Sequence, residues 1–246
     1  MTRALAIVQA RMSSSRLPGK TLAEVEGEPL LALLLRRLAP AQEIERIVVA
    51  TSGEPIDDAI VPVAEDAGAS VFRGSRDDVL GRFVGALGDW TGPVARITAD
   101  CPLIDPHVID AVVALRRATP GAVYASNLQP RVHPDGLDVE VVDAAALRTV
   151  AGETADPAAR EHVTLAVRAD PARFPAAGLA GDERLAGLRW TVDLPEDLAF
   201  VRAVARVLGP ARWTASCADI LAALRGDSEL AAQPGRAWPV ATVRSQ

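Results

Sequence analysis

The amino-acid sequence predicts an α/β fold in which a parallel or mostly parallel sheet is covered by helices. Two observations carry this. Short apolar runs rich in Val and Ile alternate with segments of helical periodicity through residues 4–118, the spacing of successive βαβ units. Hydrophobic residues make up 49% of the 246, ample for a core, while aromatic residues are only 4%, so that core is built mainly from Ala, Val and Leu. The length fits one large domain, or one domain with a small lobe. Ligands in such an architecture sit beyond the carboxyl ends of strands.

Residues 4–8 read as a short buried strand that stops at Gln9. A helix at 29–38 has Pro29 in its first turn, where no amide donor is missed, and is Leu-rich after it. Residues 44–51 end in Ile-Val-Val-Ala-Thr, a second buried strand; 56–67 repeat apolar residues at helical spacing and stop at Gly68. A strand at 70–72 precedes a helix at 77–90 whose first turn carries Asp77 and Asp78, where the dipole favours them. A strand at 94–98 and a helix at 106–118 follow. Then the pattern changes. Strands at 122–127 and 137–142 flank a loop bearing Pro130 and Pro134, followed by helices at 144–150 and 160–169 and an irregular, mobile stretch at 174–186. A last strand at 188–193 and helices at 196–208 and 217–224 complete a domain of residues 1–225; residues 226–246 lack periodicity and read as a loose tail.

The loop after the first strand carries the most chemistry. Arg3, Arg11, Arg16 and Lys20 fall before any acid appears at Glu24, in a chain of net charge −6. Lys20 is the only lysine; the other 25 basic residues are arginine. Pro18-Gly19 closes the loop, and Gly19 lets the backbone approach whatever the loop holds. Arg presents a planar fork to phosphate oxygens and Lys a mobile point charge. A strand, a basic loop and a helix suit an anionic ligand such as a triphosphate; the plain alternative is a solvated loop. Neither Gly-x-x-x-x-Gly-Lys-Ser/Thr nor Gly-x-Gly-x-x-Gly is present.

Composition removes other classes. The acidic balance argues against a nucleic-acid binder, which would show a basic stripe. Cys101 and Cys217 lie in no C-x-x-C pair, which fits a reducing cytoplasm and no metal cluster. The first 15 residues are no signal peptide, and no apolar run reaches the roughly 18–20 residues of a membrane span. The expectation is a cytoplasmic protein with no nucleic-acid or membrane partner.

Asp100 and Asp193 each end a β-type run in Thr-x-Asp and are followed within two residues by Pro102 and Pro195. Singly, each suits the N-cap of a following helix. As strand-end neighbours beside a basic loop, the two suit a shared Mg²⁺, which takes carboxylate, water and phosphate oxygens. Asp105, Glu196 and Asp197 read as helix caps. Arg82 either points into the site or pairs with Asp78 one turn earlier. Asp138 and Glu140 alternate with Val139 and Val141 and so share one strand face. His107 and His133 read as surface residues and Cys101 as a packed thiol.

The stretch Gln9-Ala-Arg-Met-Ser-Ser-Ser-Arg-Leu-Pro-Gly-Lys20 resembles the N-terminal signature of the cytidylyltransferases that make CMP-activated sugar acids, closest to the spore-coat polysaccharide (SpsF-type) branch. Residues 72–82, 98–105, 124–127 with 134–140 and 160–164, and 191–198 resemble further stretches of that family, in its order. The resemblance implies a three-layer α/β/α Rossmann-like nucleotidyltransferase domain, with residues 123–187 as a lobe for acceptor binding and homodimer contact. It implies CTP and a small anionic acceptor (a sugar acid, phosphate or phosphonate) as substrates, Mg²⁺ as cofactor and pyrophosphate as product. By it, Gln9, Ala10, Arg11, Arg16, Gly19, Lys20, Arg73, Gly74 and Asp100 contact the nucleotide. Lys20, Arg11, Asp100 and Asp193 serve catalysis, with Asp100 and Asp193 on the metal. Asn127, Asp138, Glu140 and His162 face the acceptor; for His162 an ordinary surface position is the other reading. A glycosyltransferase on the same fold, another nucleotide, and a non-catalytic nucleotide-binding protein stand as alternatives.

Overall fold

In the computed structural model, which describes residues 3–237, the first half of the chain alternates as its pattern predicts. β1 (Ala4–Gln9) leads through a long loop into a small hairpin, β2 (Glu24–Val25) and β3 (Glu28–Pro29), and then α1 (Leu30–Leu38). β4 (Ile44–Ser52), α2 (Ile60–Asp66), β5 (Ser70–Gly74), α3 (Val79–Leu87), β6 (Pro93–Thr98) and α4 (Pro106–Ala118) follow. The second half holds β7 (Tyr124–Ser126), β8 (Glu140–Asp143), α5 (Ala144–Glu153), α6 (Pro157–Glu161), α7 (Leu165–Ala169) and β9 (Ala176–Gly178). It closes with α8 (Pro195–Leu208), α9 (Cys217–Gly226) and α10 (Ser228–Ala231).

Seven strands form one sheet in the order β5-β4-β1-β6-β8-β7-β9. β5, β4, β1 and β6 run parallel, and β8 joins β6 antiparallel. Successive side chains of β1 enter opposite layers, as the two-residue period of a strand requires. Ala4, Ala6 and Val8 pack with Leu31, Ile60, Val108 and Ile109 from α1, α2 and α4; Leu5 and Ile7 pack with Val79, Phe83 and Leu147 from α3 and α5. These faces make the three layers. Residues 123–187 extend the same sheet through β7, β8 and β9.

The second half departs from the sequence reading in four places. The stretch at 174–186 is not wholly irregular: β9 pairs with β7, and Glu183–Gly187 form a 3-10 turn. The helix expected at 160–169 breaks into α6 and α7 around Val163, a buried residue at φ 39°. The segment 188–193 is extended but joins no sheet. It runs against the loop at Asp135, with Asp135 N–H donating to Leu188 O (2.8 Å) and Trp190 N–H donating to Asp135 O (2.5 Å). Gly136 permits this approach, since a Cβ there would lie 2.7 Å from the Trp190 carbonyl carbon. The tail from Gly226 is likewise ordered as far as it is described: α10 buries Leu230, and Trp190 Nε1–H donates to Arg236 O (2.8 Å). The remainder of the expected tail, 238–246, lies outside the described residues.

A third apolar cluster, built from Leu30, Leu33, Trp190, Val192, Phe200 and Ile220, seats α8 and α9 beside α1. Arg37 ties this unit to the segment following Asp100. Its fully buried guanidinium donates to the carbonyls of Leu103 (3.1 Å), Ile104 (2.9 Å), Ala215 (2.7 Å) and Arg212. Burial pulls its pKa down to about 10, with Asp105 acting against that. Replacement by Met would leave these carbonyls without their donor, so Arg37→Met is expected to cost about 3 kcal/mol. Urea unfolding measures this, and a loss under about 1 kcal/mol would mean that the tether is redundant.

Candidate active site

β1 and β6 are parallel neighbours, with Gln9 opposite Thr98, and their carboxyl ends open into a cleft. The basic loop folds over it because its backbone is pinned from several directions. Met12 N–H donates to the buried Asp57 carboxylate (2.7 Å), Gly19 N–H to Met12 O (3.0 Å) and Thr21 Oγ1–H to Arg11 O (2.6 Å). Gly19 has φ 76°, a conformation that favours glycine, and launches the turn that aims Lys20 inward. Asp57 was not singled out by sequence; it lies in an ordinary-looking amphipathic stretch, and only its fold neighbours reveal it.

Lys20 is the hub. Its ammonium donates to Val192 O (2.6 Å), Asp193 Oδ1 (3.0 Å) and Asp100 Oδ2 (3.2 Å). Arg16 adds a second cation to Asp193 Oδ1 at 2.8 Å. Asp100 follows β6 as predicted, but Asp193 reaches it without a neighbouring strand: Val192 N–H donates to Asp100 O (2.8 Å). Asp197 holds that segment. Its carboxylate is fully buried and accepts from Asp193 N–H and Leu194 N–H (both 2.8 Å), from Arg189 (2.7 and 2.8 Å) and from Arg236. The cap expected at Asp197 is therefore also the anchor of Asp193. Burial pushes the Asp193 carboxyl up, yet Lys20, Arg16 and Arg189 outweigh it and hold the group below the usual range. Asp100 caps no helix; Asp105 caps α4 through His107 N–H (2.8 Å) and also accepts from Cys217 N–H (2.7 Å).

Asp100 and Asp193 suit a divalent cation. Both offer hard carboxylate oxygens, and the Lys20 ammonium touches one oxygen of each, so a single cation can reach both. Among the described residues no group of three or more His, Cys, Asp or Glu side chains is placed to hold a metal, so a cation held by this pair would take its other ligands from water or from a bound molecule's oxygens.

The opposite wall comes from α3 and α6. Arg82 lines the cleft but does not pair with Asp78. Its buried guanidinium donates to Ser75 O (2.6 Å) and Arg76 O (2.8 Å), and burial, aided by nearby Arg11, lowers its pKa. Asp78 instead caps α3 through Gly81 N–H (2.8 Å) and pairs with Arg160 at 3.1 Å. Glu161, which the sequence reading passed over, reaches Arg11 across the cleft at 3.4 Å.

The remaining expected contacts separate. Gln9, Ala10, Arg11, Arg16, Lys20, Asp100 and Asp193 line the cleft. Arg73 and Gly74 end β5, two strands from β1; Arg73 is occupied by Asp58 (2.5 Å) and Ser52 O (3.1 Å) and lines no part of it. Asn127 spends its amide on backbone, donating to Leu137 O (2.7 Å) and accepting from Val139 N–H (2.9 Å). Glu140 is buried among Tyr124, Thr164 and Arg96, so its carboxylate does not open on the cleft. Asp138 pairs with Arg131 (3.0 Å), and His162 is exposed where α6 ends. Cys101 is a packed thiol, pushed well up by burial and by Asp100. His107 is exposed, whereas His133 is half-buried, contrary to its surface reading, with burial lowering its pKa.

A mostly parallel α/β/α sandwich with a basic loop and two carboxylates gathered where its parallel strands end is a nucleotidyltransferase framework. Residues 5–202 match the sequence model of the cytidylyltransferase family, and the chain belongs to that family, in its SpsF-like branch. It is 31% identical over 242 residues to the spore coat polysaccharide biosynthesis protein SpsF of Bacillus subtilis, covering 95% of this chain and 98% of that one. The structure of a cytidylyltransferase from Leptospira borgpetersenii superposes with a TM-score of 0.86 at 27% identity, over 94% of this chain and 96% of that one. A CMP:2-keto-3-deoxy-manno-octonic acid synthetase solved with CTP shares the fold, with a TM-score of 0.63 at 16% identity over 83% of this chain and 98% of that one. No helix of the described residues is long and apolar enough to cross a membrane.

The depressed Asp197 carboxyl gives stability a definite pH dependence. Its contribution is complete above the unfolded value of about 3.9 and is lost as pH falls through the lower folded value. Stability should therefore decline below about pH 4, whereas Asp197→Asn should be weaker by about 3 kcal/mol at neutral pH and decline less in acid. Urea midpoints across that range decide it; parallel curves would contradict the assignment.

Proposed function

We propose that this enzyme transfers CMP from CTP to an oxygen of a small anionic acceptor (a sugar acid, phosphate or phosphonate) and releases pyrophosphate, with Mg²⁺ as its cofactor. The observation that carries the reading is the convergence of Lys20, Arg11 and Arg16 with Asp100 and Asp193 in one cleft at the ends of β1 and β6. Three cations of the basic loop exchange carboxylate partners for phosphate oxygens. This positions the α-phosphorus and neutralises charge, which supply most of the catalysis in such transfers. An acceptor oxyanion (a phosphate or phosphonate oxygen, or a sugar-acid hydroxyl that has given its proton to solvent) forms a bond to the α-phosphorus as the bond to the bridging oxygen breaks, and pyrophosphate leaves with that electron pair. Arg11, Arg16 and Lys20 then stabilise the charge growing on the leaving group. Mg²⁺ held by Asp100 and Asp193 would supply Lewis-acid neutralisation at the α-phosphate and a lower pKa for the acceptor. Asp138 and His162 remain the acceptor-facing candidates; Asn127 and Glu140 support the surrounding backbone and side chains. In this reading Arg73 and Gly74 stay outside the nucleotide site. A homodimer, which the family resemblance implies, is part of the proposal, and a single-chain mass by light scattering would remove it.

Pyrophosphate release with each of four nucleoside triphosphates and a panel of sugar acids, sugar phosphates and phosphonates tests the reading. CTP with one acceptor class is the expected combination. Lys20→Met, which removes the cation without adding bulk, should lower kcat/KM about 100-fold or more. Asp100→Asn should lower kcat and raise the Mg²⁺ concentration needed, whereas unchanged turnover and metal dependence would remove Asp100 from the mechanism. Release of a nucleoside diphosphate from a nucleotide sugar would favour a glycosyltransferase instead. Absence of any triphosphate binding by calorimetry would end the proposal.

A further inference from the structure

A polar row crosses the sheet where the apolar layer beneath α3 and α5 gives way to the cleft. Gln9 continues the face of Leu5 and Ile7, Arg96 that of Val94, and Glu140 that of Val142, with Tyr124 beyond. The register places Arg96 opposite Ile7 on one side and Glu140 on the other. Arg96 Nη1 binds Glu140, and its Nε donates to Gln9 Oε1 (3.3 Å). Glu140 cannot swing away, because Tyr124 Oη–H (2.7 Å) and Thr164 Oγ1–H (2.6 Å) also donate to it and Arg168 lies 3.6 Å from it. Burial pushes its carboxyl up, but Arg96, Thr164, Tyr124 and Arg168 together hold it below the usual range, in its charged form.

Arginine has donors only. A Gln amide beside it must therefore turn its oxygen to Arg96 and its Nε2 away, an orientation dictated by the network. Gln9 lines the cleft, and within the described residues no group accepts from its Nε2. We propose that Arg96, clamped by Glu140, is a positioning residue that fixes the Gln9 amide with its Nε2 donors facing the cleft, where they engage a hydrogen-bond acceptor of the nucleotide. This rests on the nucleotide-binding reading above. It gives Glu140 a role without acceptor contact: the carboxylate acts on the site through two side chains. It also links β8 and α7, at the far side of the sheet, to the end of β1.

The test is calorimetric binding of CTP, the other three nucleoside triphosphates and inorganic pyrophosphate to the full chain and to three variants. Gln9→Met keeps the side chain's length but removes the donor, and should weaken CTP binding about tenfold while leaving the melting temperature unchanged. Arg96→Lys loses the fixed guanidinium fork, whose Nε and Nη1 point separately at Gln9 and Glu140, and should weaken binding about threefold to tenfold, raising KM more than it lowers kcat. The double variant should bind no worse than Gln9→Met, because orientation is immaterial once the amide is gone. If pyrophosphate weakens in parallel, the ligand atom is a phosphate oxygen; if only nucleotides weaken, it is on base or ribose. Wild-type affinity in Gln9→Met, unchanged affinity in a folded Arg96→Lys, or additive losses in the double variant would each overturn the proposal while the nucleotide reading stands. A wild-type chain that binds no triphosphate would remove the nucleotide reading itself and this inference with it.

Discussion

The site depends on one ammonium between two carboxylates. Asp100 and Asp193 come from segments far apart in sequence, and both reach for Lys20 Nζ. Like charges about 4 Å apart repel by about 4 kcal/mol at an effective dielectric of 20, so such a pair needs a cation between them. A guanidinium would present a flat fork, whereas an ammonium offers three donors from one point and can meet two carboxylates and a carbonyl together. That is a physical reason for one lysine among 25 arginines to stand at this position.

Around this hub the cleft is self-neutralised. Arg16 rests on Asp193, and Arg11 on Glu161. Both arginines are well exposed, at 59% and 43%, and exposed ion pairs contribute only about 0–1 kcal/mol. They are therefore inexpensive to exchange for a polyanion's oxygens, while they keep a bare cationic loop from forming. The buried charges behave differently. Arg37 and Asp105 each bind backbone groups from separate segments, Asp197 binds the backbone of Asp193 and Leu194 together with Arg236, and their removal would leave buried polar atoms unmatched. The exposed Arg11 and Arg16 line the cleft; the buried charges hold the segments that carry them.

The same distinction separates the expected site residues that line the cleft from those that do not. Asn127, Glu140 and Arg73 are polar residues in apolar surroundings, which reads as a site in one dimension. In three dimensions Asn127 closes a loop, Glu140 lies under Arg96, and Arg73 answers Asp58. Conversely Asp57, Glu161 and Arg96 carry no local signal, because nothing in their own segments requires a partner. Their partners Met12, Arg11 and Gln9 lie 45, 150 and 87 residues away in sequence.

The sequence by itself determined the alternation of β1 to α4 and the character of the basic loop. Those follow from short-range period, turn chemistry and charge, which any stretch of chain expresses alone. Only the tertiary structure decided that 188–193 would leave the sheet and still deliver Asp193, that Asp197 would anchor it, and that the Gln9 amide would be oriented from Glu140. Such outcomes are set by hydrogen bonds between distant segments. A donor's partner is chosen by the fold that brings it near, not by the residues beside it.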